Sequence, residues 1–299
     1  MLEVHFSLEL PAFFLFFTAS NTWQAPGWLA SSYHVGMTTQ YENLATLDLW
    51  TDFFKVTPLE LPERQMRARR MSGFIRGTAE PVAEAASLEP NNAVMPAIET
   101  AIDAATEAVP VGKKAAPRVI REWVSAQWGF VPNASKSLSD ARLRSIKLLE
   151  ARNETVSTTQ AFRDAWLAGQ RCIIPMQAFY EDDMRSGKKA IPTRIARVDG
   201  QPMGVAGVWN SWKDPETGEE LMSYALLTIN ANSHALMRRY GHEGSEKRMP
   251  AILGEGTYDA WLTARQDKAR EFMRAYPANW MLANPVENKQ DKKPKGWLD

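Results

Sequence analysis

A single cysteine, Cys172, stands among the 299 residues, together with only four histidines. One thiol excludes an internal disulfide and any cysteine-rich zinc site. Charge of either sign is not in surplus: 35 basic residues face 35 acidic ones, so no overall field draws the chain to nucleic acid, and only a local basic groove remains open. Long apolar runs are missing too. Residues 11–18 (PAFFLFFT) are far too few to cross a bilayer, and Glu3 and Glu9 ahead of them do not suit a secretory leader. Cys172 lies in the apolar run Cys172-Ile173-Ile174-Pro175 and reads as a buried strand thiol. We expect a cytoplasmic, monomeric protein with no membrane role, no metal and no cofactor.

What is present is an ordinary globular composition, 44% hydrophobic and 23% charged, sufficient for a real core. Residues 1–29 read as an extension outside the fold. Residues 42–56 predict a helix, with Leu44, Leu47, Trp50, Phe53 and Phe54 on one face, Thr39 and Glu42 as a capping box, and Pro58 as its end. About 77–116 is rich in Ala, Pro and Glu and poor in large apolar residues, the pattern of an exposed insertion. Beyond it, 118–131 is β-branched and aromatic up to Pro132. The Cys172 run, 193–198, 203–209 and 223–229 read as strands, and the last two are apolar enough to be covered on both faces. Turn signals at Asp199-Gly200 and 215–218 favour antiparallel neighbours. Residues 158–167 predict a short helix closed by Gly169, and 257–276 a last amphipathic one. The sum is an α+β fold: one domain over 30–299, with a mostly antiparallel, barrel-like sheet core and flanking helices.

Five segments carry a more specific message. They are Trp128-Gly129-Phe130-Val131-Pro132; Ala151-Arg152-Asn153-Glu154-Thr155; Arg171-Cys172-Ile173-Ile174-Pro175 leading to Phe179-Tyr180-Glu181; Val205-Ala206-Gly207-Val208-Trp209 with Trp212; and Leu227-Thr228-Ile229-Asn230-Ala231-Asn232 followed by Arg248-Met249-Pro250-Ala251-Ile252-Leu253. In this order and spacing they resemble the SOS-response-associated peptidase family, whose members sense abasic sites in single-stranded DNA. The resemblance is poor before residue 117 and absent before residue 30.

That resemblance implies a particular chemistry. Family members expose an N-terminal cysteine whose amine condenses with the aldehyde of an abasic deoxyribose, and whose thiol closes a thiazolidine. A Glu and a His move the protons, while an Asn and an Arg hold sugar and phosphate. Glu181 matches the glutamate and Arg152 the arginine, a residue that grips phosphate with two donors. Glu154 matches a structural glutamate. Three positions depart from the pattern. Glu150 stands at the asparagine, with Asn153 as a nearby substitute. Glu246 stands at the histidine, leaving His242 as the catalytic candidate and His234 in reserve. Ala30 occupies the apparent nucleophile position, in a stretch with no cysteine before residue 172.

The implied function is therefore a DNA-damage protein that binds single-stranded DNA at abasic sites, with covalent crosslinking and peptidase chemistry impaired. An autoprocessing peptidase that cuts its own N-terminal extension is the alternative from another class. A non-enzymatic interaction module with a decayed site is a third.

Overall fold

The computed structural model describes residues 38–79, 119–185 and 190–286. Five strands close into a barrel: β3 (Met71–Ala79), β4 (Val119–Trp128), β6 (Arg171–Met176), β9 (Met203–Lys213) and β10 (Glu220–Asn230). Around the ring β4 pairs β3, β3 pairs β6, β6 pairs β9 and β9 pairs β10, all antiparallel; a parallel join from β10 back to β4, at Ser223↔Gln127 and Tyr224↔Trp128, closes it. Closure leaves no exposed edge within the ring. Three short strands extend it: β5 (Glu150–Arg152) runs parallel to β10, β11 (Arg248–Pro250) pairs the end of β10, and β12 (Ile252–Leu253) pairs β9.

A second sheet lies in the order β13–β8–β7–β1–β2, made of β1 (Gln40–Glu42), β2 (Gln65–Arg67), β7 (Ala178–Asp183), β8 (Ile191–Arg197) and β13 (Met281–Pro285). The helices are short: α1 (Leu138–Ser145), α2 (Arg163–Leu167), α3 (Tyr258–Leu262) and α4 (Gln266–Ala269). Trp128, Cys172, Ala206 and Leu227 are fully buried in one apolar cluster, as their strand periodicity implies. Tyr41 of the second sheet joins that cluster, its ring edge-on to Trp128 with centroids 4.9 Å apart.

The barrel interior is filled, and two glycines show how tightly. Gly129, at φ +120°, turns the chain out of β4 where a Cβ would lie 2.7 Å from the carbonyl oxygen of Ser145. At Gly207 a methyl would meet Ile174 Cδ1 at 2.1 Å and Cys172 Sγ at 2.9 Å. Gly207→Ala is expected to cost about 1–3 kcal/mol through overpacking, read as a fall in the urea midpoint. An unchanged midpoint would show that the wall yields at no cost.

Three expectations are corrected. Residues 42–56 are not one helix: Glu42 ends β1, and helical structure starts only at 47, running as a wide π-helix over Leu49–Phe54. The apolar spacing there is real, since Leu44, Trp50 and Phe54 are buried, but Tyr41 and Glu42 are held by strand partners on both sides. The last helix is broken into α3, α4 and 3₁₀ turns, so that Phe272 folds back edge-on to Trp261 with ring centroids 5.8 Å apart. The insertion begins later than 77, because Gly77 and Ala79 still pair with Arg121 and Val119. It joins the fold at the tip of the β3–β4 hairpin. Its remainder, like residues 1–29, lies outside the described residues.

Candidate active site

Along β7 the side chains alternate, so Glu181 shares a face with Phe179, which is fully buried in the core. The strand thereby drives a carboxyl into an apolar wall, where it is only 7% exposed. Burial raises its pKa from an ordinary 4.5 to about 7, with the charge of Asp182 adding to the shift and hydrogen bonds from Thr38 opposing it. Thr38 reaches Glu181 because β1 pairs β7 antiparallel, Tyr41 opposite Phe179, which carries the residues before β1 back along β7. Its hydroxyl donates to Glu181 Oε1 at 2.8 Å, its backbone N–H also acts on the carboxyl, and the residue is 1% exposed.

A second carboxyl approaches the first. Glu150, on β5, has an enclosed Oε1 with no hydrogen-bond partner in the structure. Burial pushes its pKa well up, the charge of Glu181 adds to this, and Arg248 offsets part of it. The expected negative charge at this position is thus held toward the neutral acid. In that form Glu150 offers one O–H donor beside its carbonyl acceptor, where an asparagine would offer two N–H donors.

From Glu150 the site continues into an ion network. Arg152, two residues along β5 and about half exposed, donates to Glu246 Oε2 at 2.7 Å and is not bonded to Glu181. Glu246 Oε1 also accepts from Asn230 Nδ2 at 2.9 Å and from Arg248 at 2.7 Å. Arg248 is buried and donates onward to Glu154 at 2.7 Å and to the backbone carbonyl of Thr228 at 2.8 Å. Glu154 is therefore a partner of a buried cation. Asn153 fixes its backbone to β10 through the Thr228 carbonyl, while its Oδ1 is enclosed without a partner.

The two histidines separate. His234 is buried with both ring nitrogens engaged: Nδ1 accepts from the backbone N–H of Met237 at 3.0 Å, which leaves Nε2–H to donate to the carbonyl of Tyr276 at 2.8 Å. It is a structural residue. His242 is exposed on a loop whose start is pinned to β7, Gly241 N–H donating to the carbonyl of Asp182 at 3.0 Å. Its own carbonyl accepts from Ser245 and Lys247. Cys172 is buried in the barrel wall and burial raises its thiol pKa well above the usual, so it supplies no thiolate. Ala30 lies outside the described residues. Sequence reasoning missed Thr38; the available signal was the pair Met37-Thr38, a methionine followed by a small hydroxyl residue three positions before Tyr41. Among the described residues no group of three or more His, Cys, Asp or Glu side chains is placed to hold a metal ion, and no helix is long and apolar enough to cross a membrane.

Strands β5, β10 and β11 of the barrel thus carry the Arg152–Glu246–Arg248 network, and β7 of the second sheet sets Glu181 within electrostatic reach of Glu150. Residues 66–292 match the model of the SOS response associated peptidase (SRAP) family, and the chain belongs to that family. It is 32% identical over 165 residues to abasic site processing protein YoqW of Bacillus subtilis (strain 168), covering 54% of this chain and 68% of that one. To abasic site processing protein HMCES of Gallus gallus it is 26% identical over 186 residues, about half (51%) of that protein. A crystal structure of a protein from Bordetella bronchiseptica superposes with a TM-score of 0.65 at 33% identity, over 84% of this chain and 100% of that one.

Proposed function

We propose that this protein acts in the DNA-damage response by recognising abasic sites in single-stranded DNA and handling their aldehyde at Glu181. The observation that carries the reading is the Glu181 carboxyl itself: buried, near-neutral, and facing a hydroxyl. A group with a pKa near the working pH can both take and give a proton, which imine chemistry at an aldehyde requires. Membership of the family, and the relatives named for abasic site processing, support the substrate. Thiazolidine formation is impaired, because the only thiol is enclosed in the barrel.

Arg152 serves as the phosphate grip. Its guanidinium uses one hydrogen bond on Glu246 and exposes the rest. Binding is tested by fluorescence anisotropy on a single strand carrying a tetrahydrofuran abasic analogue, which cannot react. Arg152→Ala is expected to weaken binding about 5–10-fold at low salt and to reduce the slope of log affinity against log salt by about 1. Equal affinity for the analogue and an intact strand, or an unchanged slope, would remove the phosphate role.

A further inference from the structure

Glu181 faces two groups of one residue, and both are chemically meaningful. The Thr38 hydroxyl donates to its carboxyl at 2.8 Å, and the Thr38 backbone N–H acts on the same carboxyl. In a chain continuous with Met37 that nitrogen is an amide and cannot attack a carbonyl. In a chain whose first residue is Thr38, the same atom is an α-amine already set against a proton-transfer group. Threonine after methionine is a context in which an initiator methionine is removed, because the side chain is small.

We infer that the mature protein begins at Thr38, and that its α-amine and hydroxyl are the pair that captures the abasic aldehyde. This rests on the function proposed above. The amine adds to C1′ of the ring-opened sugar; Glu181 protonates the carbinolamine oxygen, water leaves, and an imine forms. The Thr38 Oγ then adds to the imine carbon and its proton passes through Glu181 to the nitrogen. One amine, one hydroxyl and one aldehyde thus give one five-membered oxazolidine and one water. An oxygen in place of sulfur makes the ring easier to reopen, so the adduct is reversible where a thiazolidine persists. Thr38 is thereby a catalytic residue; Ala30 is not required.

The experiment has two arms. N-terminal sequencing of the protein from its native source should start at Thr38; any other natural N-terminus overturns the inference. In the second arm the full chain is made with a ubiquitin-like module between Met37 and Thr38, folded intact, then cut by the module's protease to free Thr38. Circular dichroism before and after cutting verifies that the fold persists. With an abasic single strand, the cut protein should give a denaturant-resistant band only when cyanoborohydride reduces the imine, and peptide mapping should place the adduct on the Thr38 nitrogen. Uncut protein should give at least 10-fold less. Thr38→Cys in the cut protein should give the band without reductant.

Two controls separate this inference from the function beneath it. If the tetrahydrofuran strand is bound but the cut protein is not trapped, the Thr38 assignment falls and the DNA reading stands. If free 2-deoxyribose is trapped on Thr38 while no abasic strand is bound, the Thr38 assignment stands and the DNA reading falls. Trapping only on lysines overturns the assignment of the nucleophile.

Discussion

Arg248→Ala is expected to lower the free energy of unfolding by about 3 kcal/mol, toward the low end of the range for breaking a buried ion pair because its two carboxylates are partly exposed. The side chain is 2% exposed and spends its donors on four acceptors: Thr228 Oγ1, the Thr228 carbonyl, Glu154 and Glu246. Truncation leaves a buried strand carbonyl and hydroxyl without partners and two carboxylates without their shared cation. Arg248→Lys should recover little, since one ammonium cannot span a strand and two carboxylates in a planar fork. Urea denaturation of the three proteins measures this. An alanine variant within about 1 kcal/mol of the parent, or a lysine variant equal to it, would show that the network is decorative. Because Glu246 also holds Arg152, the alanine variant should bind abasic strands less well even where it is folded.

What could be read beforehand follows from the range of the forces involved. The Cys172 run and the stretches at 203–209 and 223–229 are strands because a nearly continuous apolar segment has no other low-cost place than a sheet covered on both faces. Phe162 and Trp166 are buried on α2 and its N-terminal flank, and Gly169 adopts the positive φ expected after a helix, both local effects. Glu42 is the opposite case. Its carboxylate is gripped at both oxygens by Arg194, about 150 residues away, and bonded by Tyr180; burial alone would raise its pKa, but these partners hold it below the usual range. No window of sequence around 42 contains that information, so a helix pattern was the natural reading. The docking of α3 is likewise tertiary, with Trp261 donating to the carbonyl of Cys172 at 2.8 Å.

The same division runs through the site. Glu181 and Arg152 were visible because they sit inside strings of distinctive neighbours, and the structure places both on strands that border Glu150 or contain it. Thr38 carries only the weak local signal of the Met37-Thr38 pair, and its meaning depends on β1 lying antiparallel to β7. A search for small residues near an apparent start leads instead to Ala30, which has the right size and no functional group. Glu150 reads as a charge in the sequence, whereas in the fold enclosure beside a second carboxyl pushes its pKa up.

Glu181→Gln is the variant with the largest expected effect on chemistry, and its effect on stability has the opposite sign. Glutamine keeps an acceptor for the Thr38 hydroxyl but cannot carry a proton, so in the protein cut to begin at Thr38 reaction with an abasic strand should slow about 10²-fold or more, and the pH inflection near 7 should vanish. Stability moves the other way through linkage. A carboxyl at about 7 when folded and near 4.5 when unfolded binds its proton more tightly in the folded protein. The stability that this proton contributes is complete below pH 4.5 and is lost as pH rises through 7. Above that point the parent holds a buried carboxylate at a cost of about 3 kcal/mol, from a shift of roughly two and a half pH units. Glutamine has no such cost, so at pH 8 the variant should be the more stable protein, by up to about 3 kcal/mol, and the two should converge toward pH 5. Glu150 should lose the part of its upward shift that Glu181 supplies. Denaturation midpoints from pH 5 to 9, beside trapping rates at each pH, decide the matter. A variant that is slower but no more stable at pH 8 would mean that Glu181 is not the near-neutral acid its burial makes it. One that is more stable and equally fast would remove Glu181 from the reaction and leave its burial a feature of the fold alone.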